Sequence, residues 1–255
     1  MREALTFKNE KSDKFWRVET CGSFMVTNWG KTGTIGRSQL TEFDSDDECE
    51  EEAAKLAASK RKKGYEPILD FDYNERVYID CDEYGPHMLT SHPIFRECFA
   101  DDLYYDCGDE EAPFGSDEGS DTLAVLQEQY SPKLNFAEFP MKLIEKDWEM
   151  TFIAPDDSLT DEQLLALANE EIDGLSGEQQ LLMSDQVILA TAFGQIKLTG
   201  KLSRELLTLA YASLNRWERL YRLVWDWTDE KPPYNIIIMR GDLQRFVLKY
   251  PERII

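Results

Sequence analysis

Histidine is almost absent from this chain: 255 residues contain only His87 and His92. With no G-x-S-x-G turn either, the nucleophile–base pairs of acyl-transfer enzymes have no visible source, and paired carboxylates identify nothing among 50 acids. Cysteine is sparse and odd in number. Cys21, Cys49, Cys81, Cys98 and Cys107 include no C-x-x-C pair, which points to reduced thiols in a cytoplasm rather than a disulfide framework. His87, His92, Cys98 and Cys107 do not form the two close ligand pairs of a structural zinc site. No apolar run approaches the roughly 20 residues that span a bilayer. The segment MREALTFKNEKS has no apolar stretch behind its first charges, so neither a membrane helix nor a signal peptide is expected. Positive charge is also short, with 28 Lys and Arg against 50 acids, net −22.

What cations there are lie early. Residues 1–40 hold seven (Arg2, Lys8, Lys11, Lys14, Arg17, Lys31, Arg37) against four acids, and residues 1–66 hold 12 against 13. The remainder holds 16 against 37. Since nucleic-acid affinity comes mostly from neutralised phosphates, a field of this sign opposes duplex binding unless the acidic part points away. Length and a 42% hydrophobic content suffice for two domains with full cores.

The early region alternates as strands do. KFWRVET (residues 14–20) and SFMVTNW (23–29) read as a hairpin about Cys21-Gly22, with Trp16 and Val18 buried on one face and Phe15, Arg17 and Glu19 on the other. Gly30, Gly33 and Gly36 precede SQLTEF (38–43), a third strand; a dinucleotide loop would need its glycines at a helix start. A helix follows from Ser45, with Ser45-x-x-Glu48 as capping box, KRKKGY closing it on cations and Gly64 as stop. The pieces NEKSDKFWRVE, NWGKTGTIGRSQLTEFDS and KRKKGYE, in this order, resemble the WGR domain. The resemblance implies an antiparallel sheet crossed by one helix. It also implies contact with nucleic acid near a strand end, as in poly(ADP-ribose) polymerases, through the motif's Trp and Arg positions, here Trp29 and Lys31; Gly30 between them and the sheet cations Lys14, Arg17 and Arg37 complete the candidate contacts. Lys31 stands where the family name has Arg, keeping the charge and losing the planar fork.

Residues 67–90, including RVYID (76–80), read as a linker or added strand, and 91–255 as a mainly helical acidic domain; the fold class is α+β. HPIFRECF and EEAPFGSDEGSD resemble uncharacterised YfeS-like bacterial proteins, a likeness of fold that carries no chemistry. Helices are expected from near Asp121, over 160–174 with Thr160 as cap, from Glu178 to about Leu198, and over 203–227, ended by Pro232-Pro233. NIIIM (235–239) reads as a short buried strand before a last helix capped at Gly241 or Asp242. Asp109, Glu111, Asp117, Glu118 and Asp121 are the candidate metal ligands, but the loop lacks the alternating calcium pattern ending in Glu, and capping by Asp117, Ser120 or Asp121 is favoured. No cofactor is expected.

The function expected is a non-catalytic binding or regulatory protein contacting DNA ends weakly or conditionally. The alternative is an acidic, antitoxin- or immunity-like partner of a basic protein, and the third an enzyme of unknown reaction using the region from His92 to Asp121.

Overall fold

A computed structural model describes residues 1–81, 85–225 and 233–255, which fall into two compact units, Met1–Arg96 and Glu97–Ile255. The first is a five-stranded antiparallel sheet of β1 (Arg2–Asn9), β2 (Ser12–Cys21), β3 (Phe24–Lys31), β4 (Arg37–Glu42) and β5 (Glu66–Pro67), in the order β4-β3-β2-β1-β5. One helix, α1 (Asp46–Lys62), packs on it. Ser45 Oγ accepts the Glu48 N–H at 3.2 Å, and Gly64 takes a left-handed φ of 88° after the last turn. Both helix ends thus lie where the sequence put them.

Strand alternation sorts the sheet's side chains into two layers. Leu5, Trp16, Val18 and Met25 face α1 and pack on Cys49, Ala53 and Ala57, whose small size lets the helix approach. Trp16 and Val18 are therefore buried as expected, and Phe15, on the opposite face, is buried too. Strand β1 went unforeseen, although Glu3, Leu5 and Phe7 alternate with Ala4 and Thr6. RVYID forms no strand; the added edge strand is the earlier Glu66–Pro67. Residues from this later stretch, Arg76, Tyr78 and Arg96, gather on the sheet face away from α1 around Glu19, which is 3% exposed.

The first unit ends within the short helix α2 (Pro93–Cys98). The second comprises α3 (Asp117–Glu128), α4 (Phe139–Lys142), α5 (Asp161–Ala168), a small hairpin of β6 (Glu171–Ile172) and β7 (Leu175–Ser176), α6 (Gly177–Thr199), α7 (Arg204–Leu223) and α8 (Tyr234–Lys249). Helix α6 is central and buried on every side, with α3, α4, α5 and α7 around it. Its one buried carboxylate, Asp185, receives a two-pronged grip from Arg216, at 2.9 and 2.8 Å.

Four expectations need correction. The helix expected from near Asp121 begins at Asp117, because Ser116 Oγ caps it by accepting the Gly119 N–H at 3.0 Å. The helix expected over 160–174 stops at Ala168, and its tail turns into the β6–β7 hairpin; its cap, Thr160, is the residue foreseen, in a full capping box with Gln163. NIIIM is no strand: it opens α8, where Ile236, Met239, Leu243 and Phe246 recur at helical spacing and are buried. The expected cap at Gly241 or Asp242 is consequently mid-helix. The end expected for α7 at Trp227 and Pro232 lies outside the described residues.

Candidate nucleic-acid interface

The Trp29-Gly30-Lys31 segment ends β3 and turns back toward β4 under a steric constraint. A Cβ on Gly30 would stand 2.8 Å from Gly36 Cα, and one on Gly36, whose φ is +82°, would stand 2.5 Å from Phe15 Cζ and 2.6 Å from the Trp29 carbonyl oxygen. The two glycines thus let the loop fold back onto the strand with Phe15 closing beneath. That contact fixes where Trp29 and Lys31 stand.

Register decides which candidates meet. Lys14 pairs with Lys31, Trp16 with Trp29, and Trp29 with Arg37, so Lys14, Trp29, Lys31 and Arg37 share the face that carries α1. Arg17 pairs with Asn28 and points the other way. Its Nη1 donates to Asn28 Oδ1 at 3.0 Å, and its guanidinium carbon lies 4.0 Å from the Phe15 ring centre and 4.4 Å from that of Phe71. Burial, then the charge of Arg76, bring it down to about 10. The seven early cations are therefore split between two faces.

Lys14, Trp29, Gly30 and Lys31 line an open groove of about 530 Å³ together with Lys11, Lys60 and Tyr65. Arg37 is exposed on the same face but outside the lining. Lys60 and Tyr65 come from the end of α1, carried across the sheet by the helix; the Lys60 amine lies 5.5 Å from the centres of both Trp16 and Tyr65, and burial, then Lys63, lower its proton affinity. Two lysines directly opposed across a strand pair repel each other. With Lys11 and Lys60 beside them, the groove gathers four ammonium groups against one lining carboxylate, Asp13, which hydrogen bonding from Thr32 and the charge of Lys8 keep below the usual carboxylate range. A half-buried indole and a half-buried phenol complete a site whose chemistry suits phosphate and a flat base.

The other candidates are occupied locally. Asp109 accepts from the Glu111 N–H at 2.9 Å and from Asn235 Nδ2 at 2.8 Å; Glu111, its carboxyl pushed up by burial and by Asp109, accepts from the Tyr221 hydroxyl. Asp117 and Glu118 lie in the first turn of α3, and Asp121 is exposed one turn on. Among the described residues no three His, Cys, Asp or Glu side chains gather as metal ligands. His87 Nδ1 accepts the Leu89 N–H at 3.0 Å, and buried His92 accepts from Ile94 N–H while its Nε2 lies 3.0 Å from the Asn74 carbonyl.

A model of the WGR domain matches residues 1–72. The uncharacterized protein YfeS of Escherichia coli K12 is 40% identical over 248 residues, covering 96% of this chain and 98% of that one. The chain belongs to the YfeS family. Its N-terminal part is a WGR domain. Protein YehF of the same organism is 42% identical over 59 residues, covering 23% of this chain and 22% of its own. A crystal structure of a Bacteroides fragilis protein is 26% identical with a TM-score of 0.27, covering 46% of this chain and 38% of the other. The WGR match ends at residue 72, before Arg76, Tyr78 and Arg96, so this YfeS-family chain surrounds Glu19 with groups from beyond the matched stretch. No helix among the described residues is long and apolar enough to cross a membrane.

Proposed function

We propose that this is a non-catalytic, regulatory cytoplasmic protein whose WGR domain holds nucleic acid at a strand end, in the groove between Trp29 and the end of α1. The observation that carries this reading is the opposed Lys14–Lys31 pair, with Lys11 and Lys60 converging on the same groove as Trp29 and Tyr65. The lysines bind phosphate as point charges, and an unpaired terminal base stacks on the indole. Binding is strongly salt-dependent, because it rests on lysine–phosphate contacts, and weak, because the second unit carries 14 cations against 31 acids. Fluorescence anisotropy of the full chain on a blunt duplex and on a dumbbell with both ends closed tests the reading. Preference for the open duplex, lost in a Lys14→Gln/Lys31→Gln variant, supports it; equal affinity for both DNAs, or an unchanged preference in the variant, refutes it.

A further inference from the structure

On the sheet face away from the groove, the Glu19 carboxylate is shared among three guanidiniums. Its Oε2 lies 3.3 Å from Arg2 Nε and 3.2 Å from Arg96 Nη1, and its Oε1 lies 3.5 Å from both Arg76 Nη1 and the Tyr78 hydroxyl. Arg96 is otherwise well provided for, donating to the Ser91 carbonyl at 2.7 Å and the Leu89 carbonyl at 2.8 Å. Arg17 adds a fourth guanidinium close enough that Arg76 is its strongest charged neighbour.

The Nε donors of two of these groups lack partners. Arg17 Nε and Arg76 Nε are both buried with no hydrogen-bond acceptor, although Arg76 as a residue is 9% exposed. Aromatic rings cover the flat faces: Arg2 sits 3.5 Å over Tyr73, Arg17 over Phe15 and Phe71, and Arg76 4.1 Å over Tyr78. Stacking fixes the guanidinium planes but satisfies none of the in-plane N–H donors. Among the described residues, ion pairing to this cluster comes from one carboxylate. Buried donors without acceptors are rare in folded proteins, and charged ones are costly. Solvent reaches the cluster at Arg2, whose side chain is 42% exposed, and at the half-buried Arg17, Phe71 and Tyr73.

We propose that this arginine cluster is a second anion site, which takes a tetrahedral phosphate-type dianion between Arg2, Arg17 and Arg76. Guanidinium forks bind such oxyanions through paired in-plane N–H groups, and a dianion answers the charge excess better than chloride or a single carboxylate. Its arginines lie on the other sheet face from the groove lysines, with Phe15 lining the groove and covering Arg17. Its occupancy does not depend on nucleic-acid binding.

Isothermal titration of the full chain with inorganic phosphate at pH 8 and constant ionic strength is the test, repeated on Arg17→Gln, on Arg2→Gln and on the Lys14→Gln/Lys31→Gln groove variant. Saturable binding that sulfate competes for and chloride does not is expected. It weakens at least tenfold in Arg17→Gln and measurably in Arg2→Gln, whose rim position leaves the fold intact, and it persists in the groove variant. Phenyl phosphate identifies the source: tighter binding than phosphate means a phosphomonoester whose organic part lies on Phe71 and Tyr73, and equal binding means the free ion. No saturable binding by the parent, binding unchanged in both arginine variants, or loss only in the groove variant overturns the proposal.

Discussion

Replacing Glu19 by glutamine keeps the side chain's shape and removes the only carboxylate that the described residues bring into ion pairs with Arg2, Arg76 and Arg96. Two of the three contacts are enclosed, since the side chains of Arg76 and Glu19 are 7% and 4% exposed, and Arg96 is 18% exposed. Breaking a buried pair from one side leaves an uncompensated charge and costs about 3–5 kcal/mol. The Arg2 contact, 42% exposed, is worth no more than about 1 kcal/mol. Glu19→Gln should therefore destabilise the first unit several-fold more in free energy than Arg2→Gln. Native-state hydrogen exchange of the β2 amides reads this unit directly, and at about 1.4 kcal/mol per tenfold the loss corresponds to two to almost four decades in exchange rate. If Glu19→Gln stays within one decade of the parent, or Arg2→Gln costs as much, the cluster is not what ties Arg76 and Arg96 to the sheet.

In DNA-end binding, Lys31→Arg should tighten the complex by restoring a fork, while Trp29→Ala should weaken it, by about 1–3 kcal/mol for a stacked base, and also lower the melting temperature, because the indole packs against the core of Leu5, Trp16 and Val18. Gly36→Ala should lower the stability of the first unit and disturb the Trp29–Lys31 turn, since its Cβ meets Phe15 and the Trp29 carbonyl; a melting curve matching the parent would contradict that packing. Burial, then Glu97, push the Cys98 thiol up to about 11 from an ordinary 9.0, so its contribution to stability is complete below pH 9 and lost as pH rises toward 11; urea midpoints across that range should fall in the parent and flatten in Cys98→Ala. Asp185→Asn should cost the second unit about 3–5 kcal/mol by stranding buried Arg216, and a loss under 1 kcal/mol would refute that account.

The parts legible in the sequence were those written in short-range pattern. Alternation placed Trp16 and Val18 against α1, and the same alternation separates Arg17 from Lys14 and Lys31. Ser45, Thr160 and Gly64 marked helix ends because caps act over three or four residues. The triple-isoleucine run at 236–238 misled because β-branched residues favour strands locally, and the Ile236, Met239, Leu243, Phe246 period appears only over a longer window. Lys60 and Tyr65 stood in the recognised KRKKGY segment, yet only the path of α1 over the sheet brings them to Trp29. The Glu19 cluster had no local signature, since two of its three paired arginines, Arg76 and Arg96, lie 57 and 77 positions downstream.

Strand β5 has a further consequence for how the first unit meets other chains. It pairs with β1 at Leu5–Pro67 and Thr6–Glu66, so at the middle of β1 the sheet's margin is two residues, one without an amide hydrogen and the other charged. A foreign strand seeking to extend the sheet there finds no continuous row of donors, and proline blocks the ladder at its first step. Pro67 thus works as a guard against strand-by-strand self-association on that side, and its replacement by a β-branched residue would open a template for aggregation.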